Sequence, residues 1–210
     1  RGFIITSMLR NIFSLSVLMA LVQSAAADLI TVMPTVGPEY GYVITVVALV
    51  CFQCTSYIFS VAGPRYKHMG KDFVQKHLSA EDDELKKANG TGIGRGCHPD
   101  NGLGRFSDKL SLEAWMEINI AQRVAGNYME HLTQIVVYLL LTGLFMPLVS
   151  AGIGVCYLIG RFLYGTGFKS KTGVGGRVPG FMIVMLSYLV LFLSSVFCGI
   201  RMTGALSSLG

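Results

Sequence analysis

Residues 118–147 read INIAQRVAGNYMEHLTQIVVYLLLTGLFMP, an apolar run of membrane length that carries three groups hydrocarbon should reject. Arg123, Asn127 and Glu130 recur at i, i+4 and i+7, so on a helix they form a single stripe. An ionisable side chain at that depth costs about 2.5–3.5 kcal/mol on insertion scales, and it normally turns toward a protein interior or a wet cavity. The stripe is therefore either a site or, if Arg123 and Glu130 lie near the helix end, a pair of snorkelling charges that only help the bundle to pack.

The surrounding chain supplies partners for such a helix. Of its 210 residues 52% are hydrophobic and 14% charged, a composition that belongs in a lipid bilayer and not in water. Long apolar stretches at about 41–63, 118–146, 149–168 and 178–200 each provide the ~20 residues needed to cross a ~30 Å hydrocarbon core. They predict an all-α, integral membrane four-helix bundle over residues 38–210, with a soluble insertion at 70–114. Residues 1–37 form a separate segment. From Met8 it reads MLRNIFSLSVLMALVQSAAAD, the shape of a secretory signal peptide, with an organellar presequence or an extra N-terminal apolar helix as alternatives. Pro34, Gly37 and Pro38 then break the chain.

The formal charge of +5 matters less than its placement. Lysines and arginines crowd the connections at 64–117 and 169–177, whereas the connection near Pro147 has none. The positive-inside rule puts both basic connections in the cytosol, or in the matrix of a mitochondrion. The endoplasmic reticulum is the expected membrane and a mitochondrial one the alternative. Five cysteines give no disulfide framework, and Cys51 and Cys54 read as small buried thiols in an apolar helix, not a redox pair.

Within the insertion, Ser79-Ala-Glu-Asp82 resembles a capping box, and Asp82–Lys86 and Asp83–Lys87 are i, i+4 pairs, so a short solvated helix is expected near 80–88. The stretch NGTGIGRGCHPDNGLGRF that follows, from Asn89, is glycine-rich, but no strand precedes it and it lacks a Gly-Lys-Ser/Thr ending, which excludes a phosphate-binding loop of that type. Cys97-His98 would need further partners to hold a metal. Nothing calls for a nucleic-acid partner.

Arg161, Tyr164 and Phe168 form a second stripe, at i, i+3 and i+7. Under the four-span topology Arg123, Arg161 and Arg177 lie toward one membrane face and can meet in a pocket between helices. Guanidiniums in such a pocket imply an anionic guest, Glu130 suits an ammonium, and Asn127 can donate and accept. Residue chemistry stops at a small zwitterionic or anionic ligand, a description that glutathione satisfies.

At these residues the chain resembles the MAPEG family, the membrane-associated proteins of eicosanoid and glutathione metabolism, and within it the type-three microsomal glutathione transferases. The resemblance runs from Pro38-Glu-Tyr-Gly-Tyr42 through Arg65-Tyr66-Lys67, Arg123-x-x-x-Asn127-x-x-Glu130 and Arg161-Phe-Leu-Tyr164-Gly-Thr-Gly167 to Arg177-Val-Pro-Gly180. It implies a homotrimer with glutathione bound as substrate between neighbouring subunits. Arg123, Asn127, Glu130, Arg161 and Tyr164 would bind the peptide, and Arg177 would be the catalytic group that faces the sulfur. The thiolate would attack a lipophilic electrophile or reduce a lipid hydroperoxide arriving from the bilayer. Some positions depart from the family pattern: Ala125 and Thr133 stand where a polar residue and a proline are usual, Phe168 replaces a tyrosine, and Arg177 falls about two residues late. With the insertion, these departures motivate a second reading, a non-catalytic accessory or scaffold subunit of a larger membrane complex.

Overall fold

The computed structural model describes residues 36–202, and the expected signal peptide or extra helix lies outside them. From Glu39 onward they belong to one compact unit that is helical throughout, with no strand among the described residues. The long helices are α1 (Tyr40–Ser60), α5 (Leu112–Gly143), α6 (Pro147–Phe168) and α7 (Val178–Met202). Between α1 and α5 lie α2 (Ala62–His68), α3 (Lys71–His77), α4 (Ser79–Asn89) and a 3-10 turn at Ser107–Lys109, and a second 3-10 turn, Gly173–Arg177, leads into α7.

Among the described residues three segments are long and apolar enough to cross a membrane: Tyr40–His68, Pro147–Phe168 and Gly173–Arg201. At 32 residues α5 has the length but is not one of the three, because Asn127, Glu130, His131 and Gln134 lower the hydropathy of its most apolar stretch. It packs against α1, α6 and α7. The shared core takes Val43, Val46, Val50 and Cys54 from α1, Tyr128, Ile135 and Leu139 from α5, Ala151 and Tyr157 from α6, and Val184 and Leu191 from α7. In α1, α5 and α7 their spacing of three, four or seven residues is one face of the helix. The opposite faces remain apolar as well, with Phe52 70% and Phe59 74% exposed, the surface a hydrocarbon solvent requires.

Several boundaries differ from the sequence reading. The first span does not stop at Gly63-Pro64, because the break falls at Val61, which keeps right-handed dihedrals and leaves Pro64 in the first turn of α2, where a missing N–H costs little. Helix α5 begins at Leu112 and not at 118, since Ser111 caps it by accepting the Ala114 N–H at 3.3 Å. Helix α4 forms where a solvated helix is expected, yet Ser79 makes no capping bond. Asp82 instead accepts the Ile93 N–H at 2.5 Å and pairs with Lys86 at 2.5 Å, which is why its carboxyl lies below the usual range, and Asp83 pairs with Lys86 and not Lys87. Of the cysteines, Cys51 and Cys156 are exposed on the outside of the bundle, while Cys54, Cys97 and Cys198 are the buried thiols.

Candidate functional site

The polar residues of the bundle separate into two groups on either side of Tyr57. In the first, Arg161 of α6 is 1% exposed and turns toward α5. Its Nε donates to the Tyr157 hydroxyl at 2.9 Å, Nη1 to Asn127 Oδ1 at 2.8 Å and Nη2 to the Asn127 carbonyl at 3.4 Å. The guanidinium lies 4.6 Å from the ring centre of Tyr128 and 5.1 Å from that of Tyr157, so π faces complete its surroundings. The Tyr128 hydroxyl donates onward to the Val50 carbonyl and Gln53 Oε1, which ties α1 to the same network. Among the described residues this buried cation meets no carboxylate; every contact is a neutral acceptor or an aromatic face.

In the second group Arg177, at the end of its 3-10 turn, lies 4.9 Å from the Phe168 ring centre and 6.0 Å from that of Tyr164, and its Nη1 donates to the Tyr164 hydroxyl at 3.4 Å. It remains half-buried. The turn can reach this position because Gly167 and Gly176 face each other backbone to backbone, where a Cβ on either would collide with the other's carbonyl. Tyr164 and Phe168 pack with Val124 of α5, and Tyr57 borders this cluster while donating to the Arg161 carbonyl at 3.3 Å. The second stripe of α6 is thus divided, Arg161 to one side of Tyr57 and the two aromatic residues to the other.

Arg123 and Glu130 do something different. Both are exposed on α5, and neither side chain makes a hydrogen bond or ion pair among the described residues, although Asn127 on the same stripe is held by Arg161. The three arginines therefore do not share one crevice within a single chain. Arg161 is enclosed, Arg177 rests on aromatic rings, and Arg123 faces outward.

Sequence reasoning missed Arg65, which reads as a headgroup anchor at the end of the first span. It is 6% exposed, its Nε donates to the Gly96 carbonyl of the insertion at 2.9 Å, and its Nη2 is buried with no acceptor. Arg65 lines a cavity of about 460 Å³. The cavity's α5 wall includes Gln122, Gly126 and Met129, each one position before a member of the polar stripe, so cavity and stripe occupy adjoining sides of one helix. A Cβ on Gly126 would meet nothing within 4 Å, so there is room on that side. The signal in the sequence is the pairing of an arginine at a span terminus with a loop whose glycines let a backbone carbonyl approach it.

No His, Cys, Asp or Glu cluster fit for a metal occurs among the described residues. Cys97 is buried, where burial, with Asp100 adding to it against Arg65, pushes its thiol up to about 11, and its Sγ donates to the Met69 carbonyl. No curated protein matches this chain. A family model does match, over residues 43–197, and with that match covering most of its length the chain belongs to the MAPEG family.

Proposed function

We propose that this integral membrane protein is a glutathione transferase or peroxidase, with α5 as its fourth span, acting as a homotrimer in the endoplasmic reticulum membrane on lipophilic electrophiles or lipid hydroperoxides. The observation that carries the proposal is the uneven treatment of one stripe. Asn127 is fixed by a buried guanidinium, while Arg123 and Glu130 beside it make no side-chain hydrogen bond or ion pair among the described residues. An unpaired arginine and glutamate on a helix packed among apolar spans are costly unless a ligand or a second copy supplies the missing groups. A peptide with two carboxylates and an ammonium, bound where two copies meet, supplies both kinds of group. Arg65, with one nitrogen unsatisfied, offers a further place for a carboxylate on the adjoining side.

Arg177 suits the sulfur. Its cation is held on aromatic rings and by a hydroxyl, with no carboxylate paired to it among the described residues, so its field is not cancelled there, and it keeps an accessible side. A free thiol with a pKa of about 8.5 is about 3% thiolate at neutral pH, and a cation that lowers this to about 7 raises the thiolate to about half, a gain of about fifteenfold. The thiolate then forms a C–S bond to the electrophile as its leaving group departs. With a hydroperoxide the sulfur takes the terminal oxygen as the O–O bond breaks, releasing the alcohol and leaving a sulfenic acid, from which a second glutathione displaces water to give the disulfide.

Purified full-chain protein is expected to consume a lipophilic electrophile or hydroperoxide only in the presence of glutathione. Arg177→Ala should lower the rate about tenfold or more while the peptide still binds. Turnover that is indifferent to glutathione, or an Arg177→Ala variant as fast as the parent, would remove the basis for this reading and favour an accessory role.

A further inference from the structure

The insertion at 70–114 contributes to the Arg65 cavity, and this leads beyond the membrane helices. Its glycine-rich portion is pinned at two points. On the α2 side Gly96, at φ +81°, sits so close to the Tyr66 ring that a Cβ would lie 2.9 Å from it. Its N–H donates to the Met69 carbonyl at 3.0 Å and its carbonyl accepts Arg65 Nε. On the α5 side Asn119 Nδ2 donates to the Gly102 carbonyl at 2.9 Å and Gln122 Nε2 to the Asn101 carbonyl. Residues 96–102 therefore bridge α2 and α5 as a strap.

The strap is held from within by Asp100. Its carboxylate accepts the N–H groups of Gly102, Gly104, Phe106 and Ser107 and the Ser107 hydroxyl, at 2.8–3.1 Å. A loop with that many bonds to one buried carboxylate is a built element whose position is defined. His98 lies between the two anchor points and Asn101 at the second, and both line the cavity with Arg65. Their side chains make no hydrogen bond among the described residues, so an imidazole N–H and an amide NH₂ are free to donate.

We propose that the strap is one wall of the ligand site, and that His98 and Asn101 are specificity-determining residues that hold a carboxylate of the bound peptide beside Arg65. Two observations carry this: a 94%-buried arginine with an unsatisfied nitrogen, and two uncommitted donors placed around the same cavity by an anchored loop. Among the described residues the one hydrogen bond of the Arg65 guanidinium is to the Gly96 carbonyl, and a carboxylate would satisfy the guanidinium and both donors together. The inference rests on the glutathione reading above and assigns the insertion to substrate selection, not to docking.

The test uses the full chain in lipid nanodiscs with two probes, glutathione and its diethyl ester, in which both carboxylates are blocked. Their affinities are compared for the parent, for the double variant His98→Ala/Asn101→Ala, and for Lys109→Ala on the outer surface of the insertion. The double variant should bind glutathione about tenfold more weakly, the effect of losing hydrogen bonds to a charged group, with its affinity for the ester unchanged. Lys109→Ala should match the parent with both probes. If the double variant binds glutathione like the parent, or loses both probes equally, His98 and Asn101 do not read the carboxylate and the proposal is wrong while the glutathione reading stands. If the parent fails to bind glutathione, both are wrong.

Discussion

Two arginines among the described residues are almost wholly enclosed, and they have opposite situations. Arg161, in the middle of the bundle, spends its N–H groups on Tyr157 and Asn127 and its faces on Tyr128 and Tyr157. Arg65, at the end where the insertion folds back, spends one nitrogen on Gly96 and keeps another unsatisfied. Neither has a carboxylate partner among the described residues. Burial by itself does not distinguish a receptor from a structural cation; the balance of donors and acceptors does. A saturated guanidinium holds helices together, and an unsaturated one is ready for a guest.

Removing each cation in turn separates the two roles. Arg161→Leu leaves the Asn127 amide and the Tyr157 hydroxyl without their partner in an apolar core, and should cost about 2–5 kcal/mol of stability, seen as a large drop in the thermal unfolding midpoint in detergent. An unchanged midpoint would mean that the network is incidental. Arg65→Leu should act the other way round. The lost bond to Gly96 is offset by removal of an unsatisfied buried donor, so stability shifts by only about 1 kcal/mol or less while glutathione affinity falls about tenfold or more. A variant that unfolds but, where folded, binds normally would reverse the roles assigned here.

The next effect is smaller and depends on pH. Burial works against the Asp100 carboxylate, but the N–H groups of Ser107 and Gly102, the Ser107 hydroxyl and the Gly104 N–H outweigh it and hold its carboxyl below the ordinary carboxylate range. A carboxyl depressed on folding stabilises above its unfolded value and loses that contribution as pH falls through its folded one. The strap should therefore be firm at neutral pH and loosen only under acid conditions below the usual carboxylate range. Asp100→Asn should cost about 1–2 kcal/mol locally at neutral pH, measured as faster hydrogen exchange at Gly102, Gly104, Phe106 and Ser107, and the gap from the parent should close in acid. The smallest expected effect is at Cys97. With its thiol pushed up to about 11 and buried, it should resist alkylation at neutral pH in the folded protein and react after unfolding. Rapid labelling of the native chain at Cys97 would show that the strap opens readily.

Much of the helical architecture was legible because it rests on long-range composition. The apolar runs that became α1, α6 and α7 need only be long and uninterrupted, and Pro147 marks the start of α6 at the position where a proline belongs. Boundaries that depend on one local bond were not legible: the Ser111 cap extended α5 by a turn and a half, and the turn at Val61 carried the first span past Pro64. Within the candidate site, i, i+4 spacing correctly placed Asn127 and Arg123 on one stripe, but periodicity cannot say which member of a stripe finds a partner. It also could not divide Arg161 from Tyr164, since that division is made by Tyr57 on another helix. The enclosure of Arg65 was hidden for the same reason. What makes it unusual is a loop some 30 residues further along, folded around Asp100, that shows no pattern beyond its glycines.

The deciding question is whether glutathione enters this protein and ionises there. Glutathione titrated at neutral pH into the full chain in nanodiscs, followed by the ultraviolet absorbance of the thiolate, addresses both at once. The parent should show a saturable thiolate signal, Arg177→Ala should bind the peptide with that signal largely lost, and Arg65→Leu should need about tenfold more glutathione to reach it. A parent protein that gives no thiolate signal at any glutathione concentration would contradict the account.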